Sequence, residues 1–334
     1  MATPRDARVS SVLAWTVDQR EPEGRWLVAD DRAGEVAGAF PEGTEVISWH
    51  RAAYDGVEAS ALPPEGPFDG IVLRLPRGNE AFRMAAHLLL SRLTPHGELI
   101  VGGANDEGIK PVAKRLEELV AETEVLATRR HCRVVAARSP RGERLRSELD
   151  DWSTEVRAEM SGVALAWRSW PSLFAHGRLD PGTRLLLEAL PPLEGQVLDF
   201  ACGPGPIGQF LQRRGDAIQL TLSDVDALAV HAARQNVPDA HVVVADGLPV
   251  EGGPWDAIVS NPPVHLGKDG TRGVLEALAA TAPHRLVRGG ALWIVVQGTV
   301  PVQRTLTDAF GVVERVTRNA SYAVWRAEPA RPRS

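Results

Sequence analysis

The chain is poor in cysteine: Cys132 and Cys202 are the only two among 334 residues. Two cysteines cannot build a disulfide framework, so the expected setting is a reducing cytoplasm. Long apolar runs are also missing. No stretch approaches the roughly 20 residues that a membrane helix needs. The opening MATPRDARVSSVLAW lacks the apolar core of a signal peptide. Positive charge is not in excess, since 37 Lys and Arg stand against 43 Asp and Glu, a formal net charge of -6. That argues against a protein coated in nucleic acid but leaves room for a local basic surface. What is present, 44% hydrophobic and 24% charged residues, describes a globular chain with ample core and the length of two ordinary domains.

Apolar, strand-like runs alternate with amphipathic helical ones, and the series is given twice. RWLVAD, TEVISW, FDGIVLRL, GELIVGG and CRVVAA form the first series; GQVLDFA, QLTLSD, HVVVAD, WDAIVSN and ALWIVVQG form the second. This predicts a parallel sheet with helices on both faces, repeated. DGIVLRLP at Asp69–Pro76 lies over DAIVSNPP at Asp256–Pro263, an offset of 187 positions (69 to 256). Gly97 answers Gly290 at an offset of 193 (97 to 290), so the second series carries six extra residues, matching the insert HLGKDG. A duplication followed by divergence explains the pattern. Where the second half has Asn261, the first has Arg74; His50 sits near the place of Asp224; and the glycine turn DFACGPGPIG faces the glycine-poor VADDRAGEVAG. The first half keeps the fold and loses the chemistry. The reading divides the chain into a degenerate domain at 1–138, a charged junction at 139–172, a catalytic domain at 173–329 and a flexible tail at 330–334.

In the glycine turn, Gly203, Gly205 and Gly208 satisfy G-x-G-x-x-G, a weak signal alone because dinucleotide-binding folds carry it too. Its neighbours strengthen it. Asp199 precedes the turn, where a carboxylate meets a cationic amino-acid moiety. Asp224 ends the next strand, placed to accept from ribose hydroxyls. Asp246, followed by Gly247, ends the third, beside an adenine edge, and Asn261 follows the fourth. Open parallel sheets bind ligands beyond the carboxyl ends of their strands. A lone terminal Asp is more often a helix cap, but here four successive strands each deliver a polar group. Elsewhere, Thr128–Arg146 carries Arg129, Arg130, Arg133, Arg138, Arg141, Arg144 and Arg146 against one acid, Glu143. It reads either as a strand running into a solvated linker or as a phosphate-contacting surface.

This ordered set resembles the S-adenosylmethionine-dependent methyltransferases of the Rossmann-like class. Asn-Pro-Pro at Asn261, Pro262 and Pro263 narrows the likeness to enzymes that methylate a planar nitrogen. Together with LFAHGRLDPGTRLLLEAL, GGANDEGIKPV, NPPVHLG and the duplication, it resembles the ribosomal RNA guanine-N2 methyltransferases over nearly the whole chain, the small-subunit type before the large-subunit type. The resemblance implies an α/β fold of two tandem Rossmann-like methyltransferase domains with the N-terminal one degenerate. It implies S-adenosylmethionine as cofactor, no metal, and a monomer that meets ribosomal RNA or a ribosomal subunit and no membrane. Asp199, Gly203 and Gly205 match the cofactor turn, Asp224 the ribose carboxylate, Asp246 with Gly247 the adenine side, and Asn261, Pro262 and Pro263 the catalytic corner. Phe174, Asp180, Gly182 and Thr183 match a segment that closes the cofactor pocket. Two positions depart from the family pattern. Ala201 stands where glycine is usual, and Val264 stands where a phenylalanine would stack on the target base.

The corner has a chemical rationale. A guanine amine is a poor nucleophile because its lone pair is delocalised into the ring. Two fixed acceptors, the Asn261 side-chain oxygen and the Pro262 carbonyl, would hold its hydrogens and localise the pair toward a sulfonium methyl, with prolines keeping the alignment. His265 is adjacent and reads either as a base or as a solvated loop residue. The target must be unpaired or flipped, and Trp167 and Trp170 read either as a replacement for the missing ring or as packing. Competing readings are a protein glutamine or DNA adenine methyltransferase with the same corner, a non-enzymatic RNA- or cofactor-binding module, and, last, a dehydrogenase.

Overall fold

The structure is a computed structural model that describes residues 2–215, 217–263 and 271–330. It has two compact units: residues 1–52 with 57–153, and residues 53–56 with 154–334. Among the described residues no helix is long and apolar enough to cross a membrane.

The first unit contains α1 (Pro4–Asp18), β1 (Arg25–Ala29), β2 (Glu45–Trp49), β3 (Phe68–Arg74), α2 (Asn79–Leu90), β4 (Leu93–Ala104), α3 (Val112–Leu116), β5 (Val120–Arg129) and β6 (Cys132–Pro140). The start of α1 is written locally. Thr3 accepts from the Asp6 N–H, Asp6 accepts in return from the Thr3 N–H, and Pro4 occupies a position whose missing N–H costs nothing. The sheet runs β2-β1-β3-β4-β6-β5. The first four strands are parallel, but β6 and β5 are antiparallel, so the sheet is mixed and not parallel throughout as the alternation predicted. Period-two alternation sends Leu27 and Ala29 to the face covered by α2 and α3, and Trp26 and Val28 to the face covered by α1.

The second unit contains β7 (Thr154–Met160), β8 (Val163–Ser169), α4 (Pro181–Ala189), β9 (Glu194–Phe200), α5 (Pro206–Arg214), β10 (Ala217–Asp224), α6 (Ala227–Asn236), β11 (His241–Val244), β12 (Trp255–Ser260), α7 (Thr271–Thr281), β13 (Leu286–Gln297), α8 (Val302–Ala309), β14 (Val312–Arg318) and β15 (Tyr322–Glu328). Its sheet, β11-β10-β9-β12-β13-β15-β14, repeats the order of the first with one more strand, β11, at the far edge. β14 and β15 again turn antiparallel. Val197 and Val259 face a core shared with α4, α5 and α6, while Leu198 and Ile258 face α7 and α8. The stretch read as a junction carries the hairpin β7–β8, whose Val156, Met160, Leu165 and Trp167 join the α4–α6 core.

The duplication extends to a small device. Asp256 Oδ2 accepts from the Gln196 N–H at 2.8 Å, and Asp69 Oδ2 accepts from the Arg25 N–H at 2.8 Å. In each case the carboxylate lies where a Cβ on the preceding glycine, Gly195 or Gly24, would collide with it. Both glycines adopt positive φ, 78° and 86°, so only glycine meets both demands.

Candidate active site

The second sheet changes winding direction between β9 and β12. The chain steps outward from β9 to β10 and β11, then returns to the other side of β9 with β12. Ligands in such sheets bind at this reversal, beyond the strand ends. The registers Asp199↔Leu222, Phe200↔Ser260 and Asp224↔Val244 bring the expected polar residues to one edge. The Ser260 hydroxyl donates to the Phe200 carbonyl at 2.8 Å, tying the end of β12 to β9.

The turn from β9 into α5 is built on left-handed backbone: Ala201 at φ 58°, Gly203 at 54° and Gly205 at 87°. Gly205 is the N-cap of α5 and Pro206 its first residue. Two carboxylates hold the turn from below. Asp224 accepts from the Gly203 N–H and the Asp226 N–H, both at 2.9 Å. Asp199 Oδ2 accepts from the Gly208 N–H at 3.2 Å, while Oδ1, equally buried, has no hydrogen-bond partner. Burial pushes the Asp199 carboxyl well above the ordinary carboxylate range; the Gly208 N–H opposes this and the nearby Asp224 charge adds to it. Burial likewise pushes Asp224 up to about 6 against the Asp226 and Gly203 N–H donors. A buried carboxylate oxygen without a donor marks a site awaiting a cation or donor. Nothing lies within 4 Å of where a Cβ on Gly203 would stand, so ligand can approach the turn closely. An ammonium group and ribose hydroxyls are donors that fit this set of acceptors.

Asn261 closes the other side. Its Nδ2 donates to Asp180 Oδ2 at 3.0 Å and to Thr183 Oγ1 at 2.8 Å. A carboxylate only accepts, so the amide nitrogen must face Asp180 and the amide oxygen must face away. Asp180 is itself the N-cap of α4, accepting from the Thr183 N–H at 2.9 Å. Asn261, Asp180 and Thr183 line one cavity with Phe174, Arg178 and Gly203. Pro262 is buried and Pro263 exposed. Phe174 is 51% exposed, in a loop where Ser172 and Ala175 both take positive φ, 82° and 51°. Non-glycine residues rarely sit there, and such strain gathers at functional sites.

Asp199, Ala201, Gly203, Gly205, Asp224 and Asn261 therefore converge. Asp246 and Gly247 follow β11; Asp246 Oδ2 accepts from the Asp55 N–H at 3.3 Å, within the same unit. Val264, His265, the rest of the insert and positions 331–334 lie outside the described residues. Trp170 is fully buried and edge-on to His231, which makes it a packing residue, while Trp167, 3% exposed and part of the α4–α6 core, also lines the cavity of Asn261. Arg129 and Arg130 belong to the first unit, at the tip of β5–β6. The other arginines of that run are spoken for. Arg138 pairs with Glu98 and Glu124, Arg133, Arg141 and Arg144 donate to backbone carbonyls, and Arg146 packs over Trp152. The sequence placed Asp180 and Thr183 in the segment that closes the cofactor pocket, but not their contact with Asn261, which joins residues 81 and 78 positions apart.

A glycine turn, strand-end acids and an Asn-Pro-Pro corner on this sheet define a methyltransferase of the Rossmann-like class. The family model "Methyltransferase small domain" matches residues 164–326, and "Methyltransferase small domain N-terminal" matches residues 47–155. The chain is 32% identical to the ribosomal RNA small subunit methyltransferase C of Shewanella amazonensis, covering 77% of this chain and 76% of that one. It is 31% identical to that of Stutzerimonas stutzeri, covering 90% and 92%. The chain belongs to the ribosomal RNA small subunit methyltransferase C family. A solved T. thermophilus 16S rRNA N2 methyltransferase, in complex with AdoMet and guanosine, shares the fold at a TM-score of 0.83 and 23% identity, covering 96% of this chain and 92% of that one.

Proposed function

We propose that this chain transfers a methyl group from S-adenosylmethionine to the exocyclic N2 amine of a guanine in small-subunit ribosomal RNA. The observation that carries the reading is the fixed Asn261 amide, its nitrogen held by Asp180 and Thr183 and its oxygen turned the other way on the cavity wall. The names of its relatives point to small-subunit ribosomal RNA, and the N2 methylation and bound guanosine of the T. thermophilus neighbour point to guanine. On this proposal the chain works in the cytoplasm, as a monomer, on ribosomal RNA or an assembling subunit.

Bound at the β9–α5 turn, S-adenosylmethionine supplies an electrophilic sulfonium methyl. Asp199, whose Oδ1 has no partner, would hold the ammonium of the amino-acid end, and Asp224 would accept from ribose hydroxyls. Asp246 and Gly247 border the adenine. The Asn261 oxygen and the Pro262 carbonyl accept the two amine hydrogens, which turns the nitrogen lone pair out of conjugation. Phe174, exposed on the cavity wall, offers a ring face to an unpaired base; such stacking is worth ~1–3 kcal/mol. Held in this way, the amine nitrogen would be aligned for direct displacement of the methyl from sulfur, C–N forming as S–C breaks, and the surplus proton would leave to water. Incubation with labelled cofactor and unmodified 30S subunits or 16S RNA, followed by digestion to nucleosides, should place the label in N2-methylguanosine. Label only in methyladenosine or in a protein glutamine would overturn the assignment.

A further inference from the structure

We propose that the first unit carries its own RNA-contact site, a cationic trough between α1 and the tip of the β5–β6 hairpin that grips the backbone of single-stranded RNA and stacks one base; this rests on the ribosomal RNA reading. The trough is a cavity of about 600 Å3 lined by Ala7, Arg8, Ser11, Glu35, Arg130 and His131. All of these residues belong to one compact unit.

The placement follows from the sequence. On α1, Val9, Val12, Leu13 and Val17 face the core, which turns the stripe Arg8, Ser11 and Trp15 outward. Trp15 is 40% exposed, and the Arg129 guanidinium stands 4.1 Å from its ring centroid. Arg130 Nη1 donates to Ser11 Oγ at 3.4 Å. The hairpin turns on Arg130 and His131 alone, at φ 48° and 59°. Turns of this shape ordinarily use Asn-Gly, so two large cationic-capable side chains are held there against backbone preference. The His131 carbonyl accepts from the Asn105 N–H at 2.8 Å, fixing the tip.

The charges are available for a ligand. Among the described residues, Arg8, Arg129 and Arg130 have no carboxylate within ion-pair distance, and Arg8 Nε is buried without a hydrogen-bond partner. Glu35 is the one acid among the lining residues. Guanidinium forks match phosphate oxygens, and a guanidinium already stacked on Trp15 presents its outer plane to a base. A free anion would use the forks and leave the Trp15–Arg129 stack idle. A chain of alternating phosphates and bases uses both, and an unpaired strand leaves its bases free to stack.

The test uses the full chain and a fluorescein-labelled single-stranded RNA, followed by anisotropy at several salt concentrations. Arg8→Glu/Arg130→Glu should weaken binding by at least about tenfold and flatten the log K against log salt slope by about two. Trp15→Ala should weaken binding about fivefold or more with the slope unchanged, because stacking releases no counterions. Arg83→Glu, an exposed surface change elsewhere on the unit, should bind as wild type, and cofactor affinity by calorimetry should hold in every variant. Wild-type affinity and slope in Arg8→Glu/Arg130→Glu, with methyl transfer to RNA intact, would overturn the trough alone. A wild-type chain that neither binds nor methylates RNA would overturn the functional reading with it. Displacement of RNA by millimolar inorganic phosphate with no effect of Trp15→Ala would reduce the trough to an anion site and overturn the RNA assignment.

Discussion

Asn261 Nδ2 stands 3.0 Å from Asp180 Oδ2, joining the corner after β12 to the first turn of α4 across 81 residues of sequence. The same oxygen caps α4 by accepting from the Thr183 N–H. One carboxylate oxygen thus anchors a helix and sets which way a catalytic amide faces. Asp180→Ser separates the two duties. Serine remains a good N-cap, but its shorter side chain cannot also reach Asn261. We expect thermal stability to change little, cofactor affinity to stay within a few-fold, and kcat to fall about ten- to 100-fold, the scale of a misaligned reacting group. Asp180→Asn, which keeps an acceptor at full reach, should recover most of the rate. Asn261→Ala should cost about 100-fold or more in kcat, as loss of one oriented transition-state hydrogen bond does. Equal rates in Asp180→Ser and wild type would show that the cap is the whole role.

Asp224 titrates near the edge of the physiological range, with a carboxyl pushed up to about 6 by burial. Ribose hydroxyls favour the ionised form, a stronger acceptor. Below about pH 6 the free protein must give up the Asp224 proton to bind cofactor, and the raised Asp199 carboxyl must ionise as well, so affinity should fall as pH drops, by up to about tenfold per unit for each group. Calorimetry in buffers of differing ionisation enthalpy should detect proton release on binding near pH 5.5. Stability of the free protein moves in the opposite sense. A raised carboxyl contributes stability that is full below the unfolded value near 4 and is lost as pH rises through about 6, and Asp199 shifts in the same direction. Cofactor should offset that loss. Affinity independent of pH between 5 and 7 would place Asp224 outside the ribose contact.

The sequence made legible what depends on short-range pattern. Apolar runs ending in Asp199, Asp224, Asp246 and Asn261 became β9–β12, and the repeat became two sheets of matching order. β5 and β14 escaped notice because edge strands keep charged residues in water: Glu122 and Glu124 of β5 and Glu314 of β14 are exposed. β7 was hidden by alternation in a charged stretch, with only Val156 and Met160 buried. Strand direction carries no local signature, so the antiparallel edges were unreadable. Contacts between distant residues, such as Asn261 with Asp180, or Arg130 with Ser11, exist only once the chain has folded.

Ala201 occupies left-handed backbone at φ 58°, the position where the family pattern has glycine. A Cβ there costs on the order of 1–2 kcal/mol, while glycine in its place would give back roughly 0.4–1 kcal/mol through the unfolded chain. Ala201→Gly should therefore raise stability modestly, by about 0.5–1 kcal/mol, read as an increase in the urea midpoint with unchanged slope. Cofactor affinity should hold or improve, since the turn relaxes toward the conformation it already has. A lowered midpoint would mean that the Ala201 methyl, which lines the cavity and packs beside the α7–α8 core, contributes more through contact than it costs in strain.

The place of Asn261 is taken in the first unit by Arg74, and its surroundings explain why that unit should bind no cofactor. Arg74 Nη2 lies 2.8 Å from Glu107 and 3.1 Å from Asp6, and Nη1 donates to the Leu75 carbonyl at 3.2 Å. The guanidinium is 10% exposed and Glu107 9%, so this ion-paired cluster fills the strand end where the second unit leaves a cavity. His50, in the place of Asp224, is buried as well, and burial holds its imidazole below the ordinary value. Calorimetry should accordingly find one S-adenosylmethionine per chain, and Asp224→Ala should abolish most of that binding. Arg74→Met should not open a second site, because the glycine turn is missing too. It should instead destabilise the chain by about 3 kcal/mol, the lower end for breaking a buried pair, since Glu107 stays buried without its partner while the edge of Asp6 reaches water. Arg74→Met/Glu107→Gln should recover part of that loss by removing the stranded charge. Two equivalent sites in the wild-type chain would show that the first unit kept its chemistry.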